Sequence, residues 1–274
     1  MANSIFIDNT ASEAPADFYA KILSHSISII TPNKIANTQS YQQYVDLRTI
    51  AKAKNARFKY ETNVGAGLPI ISTLHDLLHS GDQIQKIEAV LSGSLSYIFN
   101  NFDGSRPFYE VVQEAKDKGL TEPDPRVDLG LKDVARKALI LSRDIGKTIE
   151  LGDIDIKALL PDECMQAPTV DAFFDTLIKN NDYFNKLLND AKAEGKVLRI
   201  LATITSDSTL VSVKTVGTDN PFYALSGSDN MIVFTTDRYN DTPLVVKGPG
   251  AGAEVTAAGV FAELIAEANE LSEG

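Results

Sequence analysis

The chain has 274 residues, 43% apolar and 23% charged, which is the make-up of an ordinary globular protein with one large or two modest domains. Its 26 basic and 37 acidic residues leave a net charge of −11, a surface that repels phosphate backbones and excludes nucleic acid as an expected partner. No stretch approaches the roughly 18 apolar residues of a membrane span, so no membrane partner is expected, and the lone Cys164 has no internal disulfide partner and fits a reducing, cytoplasmic setting.

The opening residues, MANSIFIDNT, show no basic or apolar leader pattern, so no signal peptide is expected. "SIFID" reads as a first strand, "APADFYAKILSHS" as a helix, and "SISII" as a second strand ending at "TPNK". A polar helix over 38–56 and a strand at "RFKYE" follow. Strand, helix and strand joined by short connections predict a parallel, doubly wound sheet. From residue 61 the texture changes. "ETNVGAGLP" is a glycine-rich loop before a helix at "PIISTLHDLLHSG", then come a strand at "IQKIEAVLSG" and a helix at "SLSYIFNNF". Residues 107–118 are helical, stopped by glycine. The segment "TEPDPRVDLGLKDVARK" starts a helix that runs on through "KALILSRDIG". Short helices fill 150–195, strands fill 196–248, and "GPGAGAEVTAAGVFAELIAEA" opens a last helix.

Five stretches have residues suited to chemistry. In "TEPDPRVDLGLKDVARK" four carboxylates, Glu122, Asp124, Asp128 and Asp133, precede Lys137, and Asp133 shares a helix face with it four residues on. An exposed i,i+4 pair with acidic residues at a helix start gives the same pattern. The alternative is a pocket in which carboxylates grip a substrate ammonium and Lys137, oriented by Asp133, exchanges a proton with a substrate oxygen. Two prolines that hold the loop in one shape favour the pocket. In "YETNVGAGLP" an extended backbone would converge the carbonyls of Val64, Ala66 and Leu68 beside Glu61, an oxygen set for a hard cation, though a plain tight turn reads alike. "SGSLSY" places Gly93 and Ser94 where free helix-start amides meet an anion, or where a serine simply caps a helix. Lys34 ends a strand of the parallel sheet, where ligands of such sheets lie. The small residues around Gly252 admit a flat ring or phosphate, or tight helix packing.

These stretches occur together, and in one order, in a known family. "TPNKIAN", "ETNVGAGLPII", "LSGSLSYIFN", "GLTEPDPRVDLGLKDVARK", "GKVLR" and "GAGAEVTAAGVFAELI" resemble homoserine dehydrogenase, in particular the dehydrogenase part of the bifunctional aspartokinase–homoserine dehydrogenases, from residue 6 to about 265. The resemblance implies an α/β protein with a partial Rossmann-type nucleotide-binding domain (1–60 with 253–274) and a mixed-sheet α+β domain for substrate, catalysis and dimerisation (61–252). It implies NAD(P)-dependent interconversion of L-homoserine and L-aspartate 4-semialdehyde in threonine and methionine synthesis, by a homodimer. Carried over by position, Lys137 is the proton donor and acceptor. Glu122, Asp128, Asp133, Lys34, Gly93 and Ser94 bind substrate, and Thr10, Lys34 and Gly252 touch cofactor. Glu61, Val64, Ala66 and Leu68 hold a sodium-type monovalent cation.

Two departures stand out. The family has glycine where this chain has Leu131, with Gly130 one place earlier. The family's G-x-G-x-x-G turn and first strands are expected upstream of Met1, so the pyrophosphate cradle is expected to be missing. A fragment that folds and dimerises without full activity is therefore the alternative expectation.

Overall fold

The computed structural model describes residues 3–273. The first part alternates as the pattern predicts: β1 (Ser4–Ile7), α1 (Glu13–Ala16), α2 (Tyr19–Ser24), β2 (Ile27–Ile30), α3 (Ile35–Thr38), α4 (Tyr41–Ala53) and β3 (Phe58–Lys59). The strands pair in parallel in the order β1-β2-β3. Tyr19, Leu23, Ile29, Leu47 and Ala51 close a core between this sheet, α2 and α4. The single helix expected over "APADFYAKILSHS" is two, interrupted at Asp17 and Phe18. Helix α4 starts where its chemistry dictates. Ser40 accepts the Gln43 amide at 3.4 Å, the Gln43 side chain accepts the Ser40 amide at 3.2 Å, and this capping box satisfies orphan donors.

The rest follows as α5 (Ile71–His79), β4 (Ile84–Val90), α6 (Gly93–Asn101), α7 (Phe108–Asp117), α8 (Arg126–Leu129), α9 (Lys132–Asp144), β5 (Asp155–Ile156), α10 (Asp162–Met165), α11 (Val170–Lys179) and α12 (Asn181–Ala193). Then come β6 (Val197–Thr205), β7 (Thr209–Val216), β8 (Asp229–Thr236), β9 (Leu244–Pro249) and α13 (Ala253–Glu273). The second sheet runs β5-β7-β6-β4-β8-β9, antiparallel except where β5 joins β7. Its helices cover one face through a large apolar core that includes Ile87, Leu95, Phe108, Leu139, Phe184 and Phe234. A smaller cluster, with Val90, Leu201, Phe222, Met231 and Val233, forms separately from that core. No helix among the described residues is long and apolar enough to cross a membrane.

Helix α13 returns to the first sheet. Ser28 donates to the Glu267 carboxylate at 2.6 Å, and Arg57 and Lys59 flank the same carboxylate at 3.5 and 3.7 Å. The small residues of this helix serve close packing. A Cβ at Gly259 would lie 2.5 Å from the Thr62 methyl, and one at Gly67 would lie 2.7 Å from the Val255 carbonyl.

The helix expected to run through "KDVARKALILSRDIG" is separated from the preceding turn by a break at Gly130 and Leu131. Leu131 takes a left-handed conformation, φ +63°, with its side chain 1% exposed. Such a conformation favours glycine, because a Cβ crowds the backbone there. Gly130 instead has an ordinary φ of −74°, with an added Cβ 2.8 Å from the Arg126 carbonyl. The departure from the family pattern thus exchanges backbone ease for a buried leucine. Removing that leucine costs about 2–5 kcal/mol, and relief of the left-handed strain returns about 1–2 kcal/mol. Leu131→Gly is therefore expected to lower stability in urea unfolding, despite restoring the residue that the backbone favours.

Candidate active site

The carboxyl ends of β1 and β2 face the start of α9 across a cavity of about 740 Å³. Thr10 and Lys34 reach it from the parallel sheet, and Glu122, Asp128 and Asp133 from the opposite wall. Five of the residues expected from the sequence therefore meet in one place, and Lys137 bonds to one of them.

Lys137 is nearly buried. Its Nζ donates to the Leu91 carbonyl at 2.7 Å and pairs with Asp133 Oδ2 at 2.9 Å. An ammonium has three donors, so one is left over. Lys34 stands 3.3 Å from the other oxygen of Asp133. Burial alone would raise the Asp133 carboxyl, but the charges of Lys137 and Lys34 outweigh it and bring the pKa down to about 2. The exposed i,i+4 reading fails for Lys137, because its head group is tied to the carbonyl at the end of β4.

Asp128 is equally committed. Its Oδ1 accepts the Ser94 hydroxyl at 2.7 Å and its Oδ2 accepts the Glu122 amide at 2.9 Å. Ser94 lies at 2.9 Å from Ser92, whose hydroxyl caps α6. The amides of Gly93 and Ser94 donate no hydrogen bond among the described residues, as expected of a helix start. Asp124 is spent inside its own loop. It accepts from Arg126 Nε at 2.9 Å, and the Arg126 guanidinium holds its carboxyl below the usual range.

Of the residues expected to touch cofactor, Thr10 follows β1, Lys34 follows β2 and Gly252 follows β9. Thr10 donates its amide to Asp8 Oδ1 at 2.8 Å, and Asp8 is anchored by Tyr19 at 2.5 Å and Asn33 at 3.1 Å. Gly252 lines a second cavity of about 670 Å³ with Asn9, Thr256 and Ala257, and both cavities share Pro32. Its φ is +117° and nothing lies within 4 Å of an added Cβ, so the backbone is open to a close-lying group. That open backbone and the small neighbouring residues fit a flat ring.

The residues expected to hold a cation lie elsewhere, where loop 61–68 meets α13. Glu61 accepts the amides of Ile70, Ile71 and Ser72 at 2.6, 2.8 and 2.8 Å, which caps α5. The Leu68 carbonyl accepts Ile70 N at 2.9 Å, whereas those of Val64 and Ala66 accept nothing among the described residues. Thr62 Oγ1 and Glu263 Oε2 are buried beside this loop without partners. Burial and the neighbouring Glu61 charge push Glu263 up to about 7 against the amide bonds that oppose them. Unmet buried oxygens beside free carbonyls fit a hard cation.

Sequence reasoning missed Asn33, Arg126, Val127, Arg136 and Met165, all of which line the main cavity. All of these but Met165 lie inside quoted motifs and could have been found there. Met165 carries no signal, since the fold alone brings α10 to the cavity rim.

Fold and site together define an α/β protein with a nucleotide-binding parallel sheet and a lysine–carboxylate pocket on a mixed sheet. The profile of the family described as Homoserine dehydrogenase matches residues 69–265, and that described as Homoserine dehydrogenase, NAD binding domain matches residues 1–61. The chain belongs to the homoserine dehydrogenase family. The chloroplastic Bifunctional aspartokinase/homoserine dehydrogenase 2 of Zea mays is 47% identical over 98% of this chain and 30% of its own length. The Homoserine dehydrogenase of Schizosaccharomyces pombe is 45% identical over 96% of this chain and 72% of its own length. A solved hyperthermophilic archaeal homoserine dehydrogenase in complex with NADPH is 27% identical, with a TM-score of 0.73 over 97% of this chain and 72% of that one. The chain thus spans about 30% of the length of the bifunctional relatives that it matches.

Asp133 gives a test of the site's electrostatics. Because its folded pKa is depressed, the tether to the lysines is complete above about pH 4 and is lost as pH falls toward 2. A carboxyl NMR titration should show a midpoint near 2. In Lys137→Met the midpoint should move up, as burial then acts against one cation rather than two.

Proposed function

We propose that this chain interconverts L-homoserine and L-aspartate 4-semialdehyde with NAD(P). One observation carries this reading: Lys137 is fixed between Leu91 O and Asp133 with one donor left, and Asp133 lines the main cavity with Glu122 and Asp128. In reduction, that donor protonates the aldehyde oxygen. In oxidation, the neutral amine takes the hydroxyl proton as hydride leaves the same carbon. The nicotinamide ring supplies the hydride acceptor or donor when bound. Thr10, Lys34 and Gly252 hold that cofactor at the strand ends.

Glu122, Asp128 and Asp133 provide the negative charge that receives the substrate ammonium. The amides of Gly93 and Ser94 receive its carboxylate, since the Ser94 hydroxyl is already bonded to Asp128. Lys34 sets the place of Asp133 and closes the cavity from the cofactor side. Residues 1–60 with 253–274 form the nucleotide unit and 61–252 the substrate unit. The carbonyls of Val64, Ala66 and Leu68 with Glu61 hold a sodium-type monovalent cation in a structural role, which the orphan oxygens of Thr62 and Glu263 support. A homodimer formed through strands of the second sheet completes this reading. Lone, buried Cys164 agrees with a cytoplasmic setting.

One observation favours a second reading, in which the chain binds substrate without full turnover. The outer edge of β1 pairs with no strand among the described residues, and Ile7 and Phe261 beside it are 38% and 61% exposed.

NAD(P)+ reduction by L-homoserine at alkaline pH, with calorimetry of both ligands, separates the two. The first reading expects turnover, and a loss of about 10²–10⁴-fold in kcat for Lys137→Ala. Turnover that survives Lys137→Ala would sink the assignment of the lysine. Homoserine binding without cofactor binding or turnover would support the second reading.

A further inference from the structure

Helix α9 lies within the substrate unit and touches the parallel-sheet unit at both ends. Its start carries Asp133 and Lys137 to the cavity, and its last residues, Arg143 and Asp144, are built into the parallel-sheet side. The buried Arg143 guanidinium donates to the carbonyls of Asn37 and Gln39 at 2.9 Å each, to Ile149 O at 3.1 Å and to the Glu150 carboxylate at 3.0 Å. The Asp144 side chain is 1% exposed. Its Oδ1 accepts the phenols of Tyr44 at 2.9 Å and Tyr60 at 2.8 Å. Arg48 stands 3.8 Å from it, its guanidinium 3.4 Å over the Tyr44 ring, and also donates to Asn37 at 3.1 Å. Asp144 Oδ2 has no hydrogen-bond partner, and His75 of α5 is 3.7 Å away. Tyr44, Arg48 and Asn37 come from α3 and α4, and Tyr60 from the end of β3, so the cluster spans the two units.

The contact inside the cavity is much slighter. It is the Lys34–Asp133 pair at 3.3 Å, with side chains 28% and 50% exposed. An exposed pair of two long side chains holds geometry weakly. Buried charge-assisted bonds are roughly twice as strong as neutral ones and strict in direction, and removal of one partner strands the other.

We propose that the Arg143–Asp144 cluster at the far end of α9, rather than any contact within the cavity, sets the distance between the nucleotide unit and Lys137. Arg143 and Asp144 are then positioning residues for the proton-transfer lysine. The inference rests on the division into nucleotide and substrate units. Seven residues separate Lys137 from Asp144, about 10 Å of rigid helix. A small rotation at one end displaces the other, and a displacement of about 1 Å at a reacting group costs on the order of 100-fold in rate.

The test is a spin-label distance measurement on the full chain, with labels at Lys52→Cys on α4 and Lys186→Cys on α12. Cys164 is fully buried and does not compete for label. The native sequence should give a narrow distribution. Asp144→Ala should broaden it, Asp144→Asn, which keeps an acceptor for both phenols, should restore it, and Lys34→Ala should leave it narrow. Where turnover is measured, Asp144→Ala should lower kcat about 10–100-fold with the homoserine KM within about twofold, and Asp144→Asn should recover most of the loss. If Asp144→Ala does not fold, the Tyr44→Phe/Tyr60→Phe double variant should broaden the distribution instead. A narrow distribution in Asp144→Ala or the double variant overturns the proposal, as does equal broadening in Lys34→Ala. The distances need no turnover, so an inactive chain counts against the proposed reaction and leaves this inference standing on its own result.

Discussion

Asp133 sits between two ammonium groups, and the site depends on that placement. Lys34 arrives from the end of β2 and Lys137 from α9, at 3.3 and 2.9 Å from its two oxygens. Without the carboxylate, two like charges would face each other in a confined space and repel. With it, the charges of the lysines keep Asp133 ionised far below the usual carboxylate range, so the arrangement maintains itself. The rest of the pocket is arranged around this centre. The left-handed turn at Leu131 aims the first turn of α9 at the cavity. The end of β4 supplies the carbonyl that fixes Lys137, and α6, which follows directly, leaves its first amides free.

Division of labour among the carboxylates follows from their partners. Asp124 is neutralised by Arg126 and stiffens the loop. Asp128 is held by Ser94 and the Glu122 amide, so it has little freedom. Glu122 remains exposed and unpaired by any cation among the described residues, which leaves it for an incoming one. Four acidic groups in one short stretch thus do four different things, and sequence spacing alone does not separate them.

Much of the fold was legible because its signals are local. The alternation of strand and helix in the first sixty residues, the glycine stops and the serine caps all act over a few residues. The pocket was legible because its acidic residues and lysine lie within one stretch of chain, and because that stretch resembles a known family. Other features depend on distant partners. Tyr44 and Tyr60 meet Asp144 across 100 and 84 residues, and each is an ordinary residue within its own element. Glu61 lies in a loop, and its carboxylate caps a helix that starts ten residues later. The break at Gly130 was hidden because Leu131 fits the apolar pattern of a continuous helix while its backbone does not. Only the departure from the family glycine pointed there.

The bond from Ser28 to Glu267 joins residues 239 positions apart. It couples the second strand of the first sheet to the last helix of the chain. On a ribosome, α13 emerges long after β2 and β3. Contacts of such sequence separation close slowly, because the loop entropy must be lost before the contact forms. The first sheet therefore gains its contacts with α13 only after the second sheet has been made. The second sheet, whose strands lie within one continuous stretch of chain, can form first and then serve as the surface on which the first sheet and α13 are assembled.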